Sequence, residues 1–146
     1  MSTPALIWQN LSGIGVQCLV QPTTDANAAL QRTLCERVRA LALRGAPAPV
    51  TMIAQGDPAV LAPGTVTLLV HASAQPAAGG RLVAFSIRPF RVSANGSEIL
   101  FGAAPRAVLV PKSGAVVPAL DAAIGDALAE TLPWLATVPG PRPITD

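Results

Sequence analysis

The stretch TVTLLVHASAQPAAGGRLVAFSIRPFRVSANGSEILFGA, residues 65–103, decides the fold. Its first part, residues 65–75, alternates. Val66, Leu68, Val70, Ala72 and Ala74 fall on one face, which is the two-residue period of a strand with one buried side. Pro76 to Gly80 read as a hairpin connection, and residues 81–93 form the returning strand with Val83, Phe85 and Ile87 together. Asn95-Gly96 reads as the next turn, because a type I′ turn needs positive φ at both central positions. A two-residue loop there pairs Val92 with Ile99 and Phe90 with Phe101. Residues 98–110 then make a further strand, in which Gly102 and Pro105 suggest a bulge or an edge position.

Upstream, residues 14–21 (IGVQCLVQ) form a first strand, with Val16, Cys18 and Val20 on one face and Gln17, Leu19 and Gln21 on the other. Pro22 ends it. Thr24 or Asp25 caps a helix running to Arg44, whose inner face is Leu30, Leu34, Val38 and Leu41. Gly45 sits at the expected C′ position, and Pro47 and Pro49 prevent continuation. Val50 to Ala54 is a short strand, expected parallel to the first. Downstream, Ser113 or Gly114 opens a last helix with Leu120, Ile124, Leu128, Leu132 and Leu135 inside and Asp121, Asp126 and Glu130 opposite, and Pro133 kinks or stops it. The order β-α-β-β-β-β-α predicts an α+β two-layer sandwich, a mixed sheet of about five strands with two helices on one face. Residues 1–13 read as a lead-in segment without a regular element, 14–136 as one domain, and 137–146 as a proline-rich flexible tail.

The chain carries little with which to do chemistry: one histidine (His71), one lysine (Lys112), two cysteines (Cys18 and Cys35), no tyrosine and eight carboxylates. General acid–base and nucleophilic catalysis need titratable groups within hydrogen-bond reach of one another. The expectation is a protein that is not an enzyme, with no catalytic residue, cofactor or metal site. His71 has no second histidine to share a metal, Gly13-Ile14-Gly15 precedes a strand rather than following one, and no serine sits in a nucleophile elbow. Hydrophobic residues make up 51% and charged residues only 12%, against about 25% charged in a typical domain, so part of the apolar surface is expected to be covered by a partner or a second copy. The net charge of +2 includes Arg32, Arg37, Arg39 and Arg44 on one helix, read as a solvated face. Without interleaved aromatics or a basic run, no nucleic-acid partner is expected. No apolar run is long enough to span a bilayer.

Cys18 and Cys35 are a disulfide candidate, since a helix returning over its own strand can bring them into range. The alternative is two buried, reduced cysteines acting as small hydrophobes. Trp8 and Trp134, one near each chain end, are partner-contact candidates because tryptophan is enriched at interfaces, and they could equally dock on their own core. Arg88 and Arg91, around Pro89-Phe90, are a second candidate partner or anion site, or else gatekeepers on the open side of the sheet.

The segments VQCLVQP, PVTMIAQGDP, VTLLVHASAQPAAGGRLVAFSIRPFRVSANGSEILFGA and VVPALDAAIGDAL together resemble the small α/β domain at the N-terminus of TolB-like proteins, and the related domain of curli-secretion and flagellar envelope proteins. Gly80-Arg81-Leu82, Ser86-Ile87-Arg88, Gly96 and Ile99-Leu100 occupy the places of the family's hairpin pattern, and the resemblance spans roughly residues 14–132. The chain departs from it in lacking Pro-Phe after the first strand, a lipid-bearing cysteine and any β-propeller. The resemblance implies a non-enzymatic binding or assembly module of the bacterial envelope. A periplasmic or exported protein acting through protein–protein contacts, possible as a homodimer, is therefore the expected function. The alternative is a carrier of a small apolar ligand or lipid in a pocket between sheet and helices, and the alternative location is the cytoplasm.

Overall fold

Eleven consecutive antiparallel pairs, from Thr67–Phe90 to Ala77–Gly80, join β3 (Thr65–Ala77) to β4 (Gly80–Ser93). Gly79, at φ +82°, allows the tight connection that a residue with a Cβ would resist. The computed structural model describes residues 6–93, 96–99, 104–112 and 114–135. β1 (Gly13–Gln21) pairs in parallel with β3 on one side and with the short β2 (Val50–Met52) on the other. Beyond β4, its far edge is shared by β5 (Gly96–Ile99) near one end and β6 (Arg106–Pro111) near the other.

The fold class is the expected α+β sandwich, with a mixed sheet in the order β2-β1-β3-β4 followed by β5 and β6. Two details differ. The single strand expected over 98–110 is two strands, with Pro105 in the interruption, where its missing N–H costs no ladder bond. The pairing of β5 also runs two positions from the expected register, with Phe90 opposite Ile99 and Val92 opposite Ser97. Gly96 is taken into β5, opposite Ser93, instead of serving in the turn. A shift of two keeps every side chain on its face, so the alternation alone did not discriminate between the registers. Asn95, Phe101 and Gly102 lie outside the described residues, as do residues 137–146.

α1 (Asp25–Ala42) is capped by Thr24, whose Oγ1 accepts a hydrogen bond from the Asn27 N–H at 3.2 Å. The helix stops earlier than Arg44, and Gly45 turns the chain away with φ +73°. α2 (Val116–Thr131) starts after Ala115 and stops ahead of Pro133. Both helices lie on one face of the sheet. Leu34 and Val38 of α1 and Leu120, Ile124 and Leu128 of α2 are fully enclosed against Val16, Leu68, Val70 and Val83 of the strands. Side chains with no accessible surface have no water-sized space beside them, so this layer is packed solid around them.

The arginine face of α1 is not wholly solvated. Arg37 Nε and Nη2 donate to Asp121 Oδ1 and Oδ2 of α2, both at 2.7 Å, a fork-to-carboxylate clasp between the two helices. The hydrogen bond from Arg37 holds the Asp121 carboxyl below its ordinary 3.8, against a smaller opposing effect of desolvation. A depressed carboxyl stabilises the fold above its unfolded value, and that contribution is lost as pH falls through the folded value. The clasp is partly exposed, so its worth is modest. Asp121→Asn is expected to lower the urea midpoint at neutral pH and to flatten the acid limb below about pH 4. Chemical denaturation of both proteins across pH checks this, and parallel acid limbs would refute it.

Candidate functional site

Because both helices occupy one side, the alternate residues of the strands are left on the other. Cross-strand rows order this open face. Gln17, Leu69 and Arg88 form one row, and Leu19, His71 and Ser86 the next. Gln21, Ser73, Ala84 and Ala107 follow, and then Gln75, Leu82 and Leu109. His71, Ser73, Gln75, Leu82, Ala84 and Leu109 are exposed. The face carries amides, hydroxyls and leucines, with Arg88 as its one guanidinium and no carboxylate in these rows. At the other end of the face, Ile53 and Thr67 are buried, and the 3₁₀ turn Pro58–Leu61 packs against β3, so the exposed part is the end nearer Ser73.

Two clefts open on this end and share Gln21 and Ser73. One, of about 530 Å³, is walled by Pro22, Thr23 and Gln75. The other, of about 290 Å³, is walled by His71, Ser86 and Pro105. The Pro22 wall is braced from beneath. Asn27, nearly enclosed within α1, donates through Nδ2 to the Pro22 carbonyl at 2.7 Å, and Arg81 Nη1 donates to Asn27 Oδ1 at 2.8 Å. A polar residue on the inward side of the first helical turn was the only sequence signal of this brace.

His71 stands between Leu19 and Ser86, apart from both cysteines. Among the described residues, no three of the His, Cys, Asp and Glu side chains gather where they could hold a metal ion. Cys18 and Cys35 are joined in a disulfide that ties β1 to α1, with their Cα atoms 5.7 Å apart. Neither sulfur offers a thiolate in this state.

Three of the remaining candidates, Trp8, Trp134 and Arg91, gather at the opposite pole, and they bind the chain to itself. Arg91 Nη1 donates to the carbonyls of Ile7 at 2.9 Å and Gln9 at 2.6 Å, and its Nε donates to the Pro63 carbonyl at 2.9 Å. The lead-in expected to be irregular therefore contains a 3₁₀ turn at Leu6–Trp8, with Ile7 buried. A long guanidinium reaching from β4 supplies the order that local sequence periodicity lacked. Trp8 meets Trp134 edge-to-face, with centroids 5.5 Å apart and an interplanar angle of 85°. Trp134 Nε1 also donates to the Ala42 carbonyl at the end of α1, at 2.8 Å. Trp8, Trp134 and Arg91 thus form one buttress under the helices. Arg88 stands apart from it, exposed on the open face.

No protein-family model and no curated protein sequence matches the chain. Among solved structures, it is similar to two forms of the PelC dodecamer from Paraburkholderia phytofirmans. One, a point variant, is 16% identical with a TM-score of 0.41, covering 88% of this chain and 90% of that one. The other is 15% identical with a TM-score of 0.42, covering 90% of this chain and 95% of that one. Likeness of this degree carries nothing over to function. No helix among the described residues is long and apolar enough to cross a membrane.

Two outcomes follow from these ties. Reduction of the disulfide, or Cys35→Ala together with Cys18→Ala, is expected to cost about 3 kcal/mol by the loop-entropy relation, read as a lower urea midpoint. Arg91→Ala is expected to cost about 1.5–3 kcal/mol and to speed amide exchange at residues 7–10, because several charge-assisted bonds go together. Arg91→Lys should not restore it, since one ammonium cannot reproduce the fork. Unchanged exchange at those residues in Arg91→Ala would refute the clamp.

Proposed function

We propose that this chain is a non-catalytic module of the bacterial envelope that works through protein–protein contacts, and that the open face of the sheet is where a protein partner docks. The observation that carries the reading is the one-sided sandwich itself. One face of the sheet is closed by two helices, and the exposed end of the other presents leucines among amides and hydroxyls, with little charge. Such a surface suits a protein partner, because leucine side chains supply apolar area while serine and glutamine satisfy backbone groups across the contact. The separation of His71 from both cysteines, the absence of a metal-holding cluster among the described residues and the bonded state of both cysteines support a binding role over catalysis. The Cys18–Cys35 disulfide suits an oxidising compartment, and the resemblance to TolB-type domains points to the same place.

A photo-crosslinking residue substituted at Ser73, in the middle of the exposed face, tests this in the envelope of living cells. The expected result is a discrete adduct with one other protein chain, identified by mass spectrometry. The same residue at Asp126, exposed on α2, should give none. Equal adducts from both positions, or none from Ser73, would count against the face as the docking surface.

A further inference from the structure

The two edges of the sheet are finished differently. On the β1 side, β2 pairs with Ile14, Gly15 and Val16 only. The next stretch of β1 is closed by side chains. Gln31 Oε1 accepts from the Val20 N–H at 2.9 Å, and Gln55 Nε2 donates to the Cys18 carbonyl at 3.1 Å. Glutamine side chains thus take two of the ladder positions that a longer β2 would use, which hinders pairing along that stretch. On the far side, β6 is bonded to β4 along its inner edge, and no described strand pairs with its outer edge. Nothing along Ala107–Pro111 is charged, and the guanidinium of Arg106 is turned to Glu130 of α2. Leu109 is 49% exposed beside its cross-strand neighbour Leu82, which is 39% exposed.

We propose that the outer edge of β6 pairs antiparallel with β6 of a second copy of this chain, about a two-fold axis at Leu109. This deepens the reading of the chain as a protein-contact module by naming one of its contacts. The register follows from the side-chain alternation. Paired residues must share a face, so a symmetric pairing is centred on a residue and not between two. Centring on Leu109 sets it against Leu109 of the second copy and Val108 against Val110. The row Gln75–Leu82–Leu109 then continues through the seam as four adjacent leucines, covering the exposed apolar pair of each copy with its own likeness. Pro105 precedes the strand and Pro111 ends it, which limits the ladder to the residues between them. Arg106 is the one charged residue between the two prolines; it falls opposite Lys112 of the second copy at each end of the ladder, where its ion pair with Glu130 of its own chain offsets the like charge.

Area decides how tight the contact is. A six-residue edge is about 20 Å long, and the sheet with its helix layer is about 20 Å deep, so the two copies together bury roughly 800 Å². A stable interface needs about 1,200 Å² or more, so the dimer dissociates on dilution.

Sedimentation velocity of the full chain from about 1 to 500 µM, with hydrogen exchange at both ends of that range, tests the proposal. The expected result is a concentration-dependent rise from monomer to dimer, with slower exchange of the β6 amides that point away from β4. Leu109→Lys, which sets like charges against each other at the axis, should move the midpoint at least tenfold higher in concentration with an unchanged circular dichroism spectrum. If Leu109→Lys does not fold, Ala107→Lys on the same exposed stretch carries the test. A monomer at every concentration would overturn the proposal. So would a dimer whose β6 amides exchange alike at both concentrations and which the folded lysine variants leave intact. Neither result touches the crosslink from Ser73 to a different chain, so failure of the dimer and failure of the docking face are read separately.

Discussion

The antiparallel ladder between β3 and β4 is the constraint on which the rest depends. It is the longest pairing in the sheet, and it aligns two alternating strands so that Val66, Leu68, Val70, Ala72 and Ala74 share a side with Val83, Phe85 and Ile87. A slip of one residue would send half of these to water, so burial enforces the register throughout its length. Once it is set, β1 can add only with Val16, Cys18 and Val20 on the same side, and both helices must follow the apolar surface. The open face is what remains, and its polar character is the other half of the same alternation.

Charged and polar groups in this chain are spent largely on holding distant segments together. Arg37 joins the two helices through Asp121, and Arg81 braces the turn after β1 through Asn27. Arg91 gathers the backbone carbonyls of the lead-in. Each is a long guanidinium with several donors in a planar fork, suited to reaching carbonyls and carboxylates that lie far away in sequence. A chain with nine arginines and one lysine therefore has a use for that bias which does not involve a nucleic acid or an acidic ligand.

The candidate site was less legible than the fold. The exposed rows could be read in outline, because Gln17, Leu19 and Gln21, like Leu69, His71 and Ser73, alternate with apolar neighbours. Which rows adjoin could not, since β1 and β3 are separated by a helix and a strand, and their parallel register is a long-range choice. Trp8, Trp134 and Arg91 were candidates for outside contacts on residue type alone, and the fold brings all three into one buttress. The glutamine closure of β1 has no local signature at all, because Gln31 and Gln55 act on a strand some distance away in the chain.

What the sequence determined by itself is the two helices, the strands up to β4, their inward faces and the fold class. Those depend on periods of two and 3.6 residues, and such periods are local properties of a chain. Tertiary structure decided the rest: that the strand expected over 98–110 is two strands sharing the edge of β4, that the lead-in is docked, and that two glutamines bond the edge of β1 while no described strand pairs with the outer edge of β6. These outcomes turn on single hydrogen bonds and packing contacts between segments remote in sequence. The free energies separating the choices are small, and no local pattern records them.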